Sequence, residues 1–241
     1  NYNPSMTLDP NTLAPGRGDD TRAQLIDAGL TLFGRDGFEA VSTRALAHEA
    51  DVNLAAIAYH FGGKLGLYRA IAETVVADVG GTVLPRLAQI RRGLAAADGD
   101  RRTIAMLLDR FVRGQLATFL ADPARQRYIP FMLREYAAPS EIFTILYRGV
   151  VEPMHQGVTA LAAAAKGWAV DDPRAILAAH TLFGQMIGFR VGKAPLLRRM
   201  GWDDYNPERI QAIADVLAPM ALAALGLPPV EDTPGPREAD R

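Results

Sequence analysis

From Asp20 to Leu225 the apolar residues recur at three- and four-residue intervals, and nowhere does apolar–polar alternation last long enough for a strand. Leu25, Ala28, Gly29, Leu32 and Phe33 set the pattern at i, i+3, i+4, i+7 and i+8. That spacing predicts an all-α chain. Composition agrees: 49% of the 241 residues are hydrophobic, with alanine and leucine, both good helix formers, in excess. There is no cysteine, so disulfides and thiolate metal sites are excluded and a cytoplasmic setting is expected. The apolar run "VLAPMALAALGLPPV" is too short and too rich in proline to cross a bilayer, so no membrane partner is expected.

The first helix is expected to open on a Thr21–Gln24 capping box and to stop at Gly37. A second runs from a Ser42 or Thr43 cap to Ala50, and a third from Asn53 to about His60. A long helix follows from Lys64, with Gly80-Gly81 and Pro85 as interruptions and a candidate hinge. Further helices are predicted near 101–121, 124–137, 140–165, 172–199 and 207–225, with Pro123, Pro139, Pro173 and Pro207 each placed at a helix start. The expected organisation is a disordered arm (1–19), a helix-turn-helix domain (20–66), a larger helical body (67–226) and a disordered tail (227–241).

Around the break "ADVN", Leu46, Ala47, Ala50 and Val52 are apolar before it, and Leu54, Ile57, Ala58 and Phe61 after it. This places Asn53, Ala55, Ala56, Tyr59 and His60 on the outward side. Two short helices braced by a longer one form a helix-turn-helix, whose second helix fits a major groove. Small residues let the backbone approach bases, and an alanine methyl can meet a thymine methyl. Net charge is only −1, and residues 1–70 hold six basic against eight acidic side chains, so bulk charge does not select nucleic acid. The window from Val52 to Ala72 nevertheless contains no acid. Spacing alone leaves His60 open between a groove contact and a packing histidine, and Lys64 between a phosphate contact and a solvated residue. It leaves Arg44 open between a phosphate contact and a surface pair with Glu49 or Asp51.

The stretch "TRAQLIDAGLTLFGRDGFEAVSTRALAHEADVNLAAIAYHFGGKLGLYRA" resembles the N-terminal domain of the TetR family of bacterial transcriptional regulators. "MLREYAAPSEIF", "VVEPMHQGV" and "LLRRMGWDDYNPERIQAIADVLA" resemble its CecR-like branch, as far as residue 226. The resemblance implies a double-stranded DNA operator as partner, a homodimer, and a small-molecule effector that weakens operator binding. Carried over, it marks Thr43, Arg44, Asn53, Ala55, Ala56, Tyr59, His60 and Lys64 as DNA-binding positions. Two departures stand out: Asp51 occupies a turn position where glycine is usual, and Ala58 one where tyrosine or histidine is usual.

In the body, Leu177, Thr181, Gly184 and Gly188, with Ile210, Ile213, Leu217 and Met220, follow helical spacing on the last two long helices. They are expected to form the dimer interface, or alternatively an intramolecular core face. Polar residues among aromatic ones mark a candidate effector site: Phe111, Gln115, Phe131, Arg134, Tyr147, His155, His180 and Phe183. Phosphate-loop, dinucleotide, nucleophile-elbow and zinc-protease motifs are all missing, and the lone Glu152-x-x-His155 is one copy of a motif that works in pairs. No enzyme activity, cofactor or metal is therefore expected. The expected function is a one-component regulator, a repressor that binds a palindromic operator as a homodimer. The alternative is a helical binder or enzyme with a vestigial helix-turn-helix.

Overall fold

The computed structural model describes residues 17–230. Among these there is no strand; twelve α-helices and one π turn carry the chain. Residues 1–16 of the expected arm and 231–241 of the expected tail lie outside the described residues. The described chain forms two compact units, residues 17–74 with 130–142, and residues 75–129 with 143–230. The first therefore reaches beyond the expected boundary at 66 and takes in a segment from the middle of the chain.

In the first unit, α1 (Arg17–Asp36) packs against α2 (Thr43–Glu49) and α3 (Ala55–Phe61), which also pack on each other. The periodic residues Leu25, Ala28, Gly29, Leu32 and Phe33 are all buried, as their spacing predicts. Helix α1 starts a turn before the expected capping box, so Thr21 and Gln24 sit inside it rather than at its end. Helix α4 (Lys64–Ala97) runs unbroken through Gly80, Gly81 and Pro85. Its entry depends on Gly66, where a Cβ would fall 1.7 Å from the carbonyl oxygen of Phe61. Helix α7 (Ile129–Ala137) brings Phe131 and Glu135 into the same unit.

The second unit is built on α5 (Arg101–Ala121), along which α12 (Pro207–Ala224) lies, with α9 (Glu152–Lys166) and α10 (Pro173–Val191) beside it. Short helices complete it: α6 (Pro123–Gln126), α8 (Phe143–Leu146) and α11 (Lys193–Met200). Pro123, Pro173 and Pro207 each occupy a first helical position, where the missing N–H costs nothing; Pro139 starts no helix. The helix expected over 140–165 begins at Phe143 and contains a π turn, Tyr147–Val151, just before Pro153. Proline cannot donate to the carbonyl four residues back, and a local i→i+5 register absorbs the break. Within that turn Gly149 lies where a Cβ would meet Val76 of α4 at 2.5 Å, and Gly157 likewise faces Leu87 at 2.3 Å. Leu227, assigned to a loose tail by its prolines, is buried in this core.

Replacing Gly66 with alanine forces a Cβ into backbone. Gly66→Ala should lower unfolding free energy by about 2–4 kcal/mol, read as a drop in the urea midpoint with unchanged slope. A midpoint equal to wild type would show that α4 has another way to leave Phe61.

Candidate nucleic-acid interface

Helix α2 opens on Ser42, whose Oγ accepts the amide of Ala45 at 3.1 Å. It ends in a Schellman arrangement: Val52 N–H donates to Ala47 O at 2.9 Å and Asp51 N–H to His48 O at 3.1 Å. The price of that geometry is a left-handed residue, and Asp51 takes it with φ 51°. Asn53 then accepts the Ala55 amide through Oδ1 at 2.8 Å. Helix α3 closes on Gly62 at φ 71°, whose N–H reaches Ala58 O.

This frame decides which side chains face water. Ile57 is buried, Asn53 and Ala55 are exposed, and Ala56 and His60 are half-buried. Tyr59 is 86% exposed, its ring edge-on to His60 at 4.9 Å. Leu54 and Ala58, read from spacing as inward, are both exposed. The helix is so short that its flanks escape cover. On α2, Thr43 is half-buried and Arg44 is exposed, with no ion pair to Glu49 or Asp51 among the described residues.

Lys64 behaves differently from a solvated tip. Its ammonium donates to Phe38 O at 2.8 Å and Val41 O at 3.0 Å, and lies 4.2 Å from the centre of the Phe38 ring. Two of its three donors thus tie the start of α4 to the α1–α2 loop. Sequence spacing gave no sign of those carbonyls, which come from 26 and 23 residues upstream.

An open depression of about 560 Å³ runs along this surface, lined by Asp51, Val52, Asn53, Ala55, Ala56, Tyr59 and His60, and by Thr21 and Gln24 of α1. The α1 pair was missed as a candidate because its spacing reads equally well as a helix cap.

Phe131 and Arg134 belong to the first unit, and the other effector candidates to the second. Phe131 is buried in the first unit, its ring 5.1 Å from that of Tyr68. Arg134 donates to Gly34 O and Arg35 O at the end of α1, a favourable place for a cation. Next to Arg134 in the chain is a buried carboxylate, Glu135, which accepts the Tyr68 hydroxyl at 2.6 Å and the amide and hydroxyl of Ser140 at 3.1 and 3.0 Å. Burial, then the bond to Glu135, push the Tyr68 hydroxyl well above the ordinary phenol range.

In the second unit four candidates do meet. The His155 ring stands 5.9 Å from His180 and 5.6 Å from Phe183, and Phe183 is edge-on to Phe111 at 6.3 Å. Burial first, and His180 second, hold His155 below the usual histidine range. Gln115 lies one turn beyond Phe111 on α5, while Tyr147 pairs with Phe143 instead. Of the expected dimer residues, Leu177, Thr181, Gly184, Gly188 and Met220 are exposed. Ile210, Ile213 and Leu217 are buried within their own unit and are not on that face. Their side of α12 covers α5, and the large apolar residues that α12 leaves exposed are Val216 and Met220.

A braced pair of seven-residue helices, with small residues and an exposed tyrosine on the second, forms a helix-turn-helix. Residues 25–71 match the family described as bacterial regulatory proteins, tetR family, and residues 105–226 match the C-terminal domain of the HTH-type transcriptional dual regulator CecR. The HTH-type transcriptional dual regulator CecR of Shigella flexneri is 33% identical over 211 residues, 88% of this chain and 90% of that protein. A probable HTH-type transcriptional regulator of Bacillus subtilis, YttP, is 45% identical over 47 residues, 20% of this chain and 23% of its own. Among solved structures, a transcriptional regulator from Rhodococcus sp. Rha1 superposes with TM-score 0.54 at 23% identity, over 86% of this chain and 99% of that one. SmeT, the repressor of the Stenotrophomonas maltophilia multidrug efflux pump SmeDEF, superposes with TM-score 0.51 at 20% identity, over 90% of this chain and 100% of its own. The chain belongs to the TetR family of bacterial transcriptional regulators, with a C-terminal domain of the CecR kind.

Asp51 holds a backbone conformation that glycine holds without strain. Asp51→Gly should raise stability by about 0.5–1 kcal/mol, measured as an upward shift of the urea midpoint. A downward shift would mean that the aspartate side chain supports the turn.

Proposed function

We propose that this regulator is a repressor that binds a palindromic operator as a homodimer and is released by a small-molecule effector. The observation that carries the reading is the surface of α3: Tyr59 stands out into solvent beside Ala55 and Ala56, in a stretch without acids after Asp51. Asn53 and His60 line the same depression, and with Thr43, Arg44 and the remaining donor of Lys64 they meet phosphates or base edges.

Dimerisation uses the outward faces of α10 and α12. Leu177 is 65% exposed and Val216 60%, with Met220 and Val191 also in water, an arrangement that marks an interaction surface. Gly184 and Gly188 have open space where a Cβ would stand, so a second copy can approach closely. Twofold pairing sets two α3 helices on half-sites about 34–36 Å apart, or somewhat further.

The effector binds at the Phe111–His155–His180–Phe183 cluster. The chain passes between the two units three times, at 74–75, 129–130 and 142–143. A change at the cluster therefore has α4 and both ends of the 130–142 segment as routes to the DNA-binding unit. By linkage the effector weakens DNA binding by the same factor that DNA weakens effector binding; unequal factors at equilibrium would remove this account.

The combined substitution Tyr59→Ala and His60→Ala should reduce operator affinity about tenfold or more, with helicity and dimer mass unchanged. Gel shifts on DNA flanking its own gene, at several salt concentrations, provide the measurement. Undiminished affinity would place the contact surface elsewhere. Leu177→Asp with Met220→Asp should halve the sedimentation mass and weaken operator binding about a hundredfold or more, because one half-site alone remains. A full-mass variant would show that the dimer forms through another face.

A further inference from the structure

Thr21 and Gln24 carry the spacing of a capping box, yet α1 begins at Arg17 and leaves them in its second turn with no helix end to cap. Both line the depression shared with Asn53, Tyr59 and His60. Gly18, one turn earlier on the same side, lies where a Cβ would come 3.9 Å from the His60 ring. We propose that this stripe of α1 is a second DNA contact, in which Thr21 and Gln24 hold the sugar–phosphate backbone beside the groove segment that α3 reads. The proposal rests on α3 being the DNA-reading helix.

The chemistry fits that occupant. A hydroxyl and a carboxamide both donate to phosphate oxygens and carry no base preference of their own, which suits groups that fix orientation. The lining is polar throughout its α1 side and includes no lysine or arginine. With the Asp51 carboxylate on its rim, it cannot retain a free anion on its own. It works only as the continuation of a larger charged interface, and the surface it continues is that of α3. A helix lying in the major groove always has a backbone ridge along its flank.

Because both side chains are neutral, they leave a distinctive signature. Removing them lowers affinity without releasing fewer counterions, so the salt slope is unchanged. The test uses the full-length protein, a duplex selected from a random pool by the wild type, and an unrelated duplex of equal length. Thr21→Val with Gln24→Ala should weaken binding to both duplexes by about tenfold at constant slope of log affinity against log salt. Gln24→Lys should strengthen both and steepen the slope by about 1, and Gln24→Glu should weaken both. Ala23→Lys, exposed but outside the depression, should do far less than Gln24→Lys. Equal effects of the two lysines, or no effect of either charge at Gln24, would overturn the α1 contact. The Tyr59→Ala, His60→Ala protein separates the two failures. If it keeps wild-type preference for the selected duplex, the reading of α3 has failed; if it loses that preference while Gln24 variants bind normally, only the α1 contact has.

Discussion

Two seven-residue helices carry the proposed DNA-facing surface, and neither is long enough to persist by itself in water. Everything they present therefore depends on burial: Leu46 and Ile57 are almost wholly inside, with Leu25, Phe33 and Leu67 of the flanking helices. At the centre of this unit Tyr68 packs its ring against Phe33, Phe38 and Phe131, at 4.7, 4.8 and 5.1 Å, and donates its hydroxyl to Glu135. One side chain thus joins α1, α4 and α7. A buried carboxylate is tolerated there because Tyr68 and Ser140 satisfy both its oxygens.

The same economy governs charge. The surface has few fixed cations: Lys64 spends two donors on loop carbonyls, Arg134 serves the end of α1, and Arg22 lies over the Phe61 ring. Lys64 and Arg134 thus help fasten loops and helices together, while Arg44 stays exposed. On the proposed reading, recognition leans on close backbone approach, small side chains and neutral polar groups, and net charge says little about it.

Much of this was legible in the sequence because it is local. Burial of Leu25, Leu32, Phe33 and Ile57 follows from helical period, the Ser42 cap from its position, and the left-handed turn at Asp51 from the resemblance, which puts it where glycine is usual. Other features depend on what arrives from elsewhere. Spacing left Lys64 open between a phosphate contact and a solvated tip because its carbonyl partners are far upstream. Nothing in the sequence of α7 announces that Phe131 packs on Tyr68 of α4 or that Arg134 reaches the end of α1. On α12 a stripe of Ile210, Ile213 and Leu217 showed that one face must be covered but not by what; α5 covers it, and Val216 and Met220 on another face meet solvent.

The sequence by itself determined the helical class, the two-helix reading unit, the family and most of the outward residues of α3, because each depends on spacing within a few turns. Only the tertiary structure decided that residues 130–142 belong with the first unit, that Thr21 and Gln24 turn towards α3, and which side of α12 remains in water. The reason is geometric: periodicity states that a face is apolar, whereas its partner is chosen by shape and glycine-sized gaps between helices far apart in the chain.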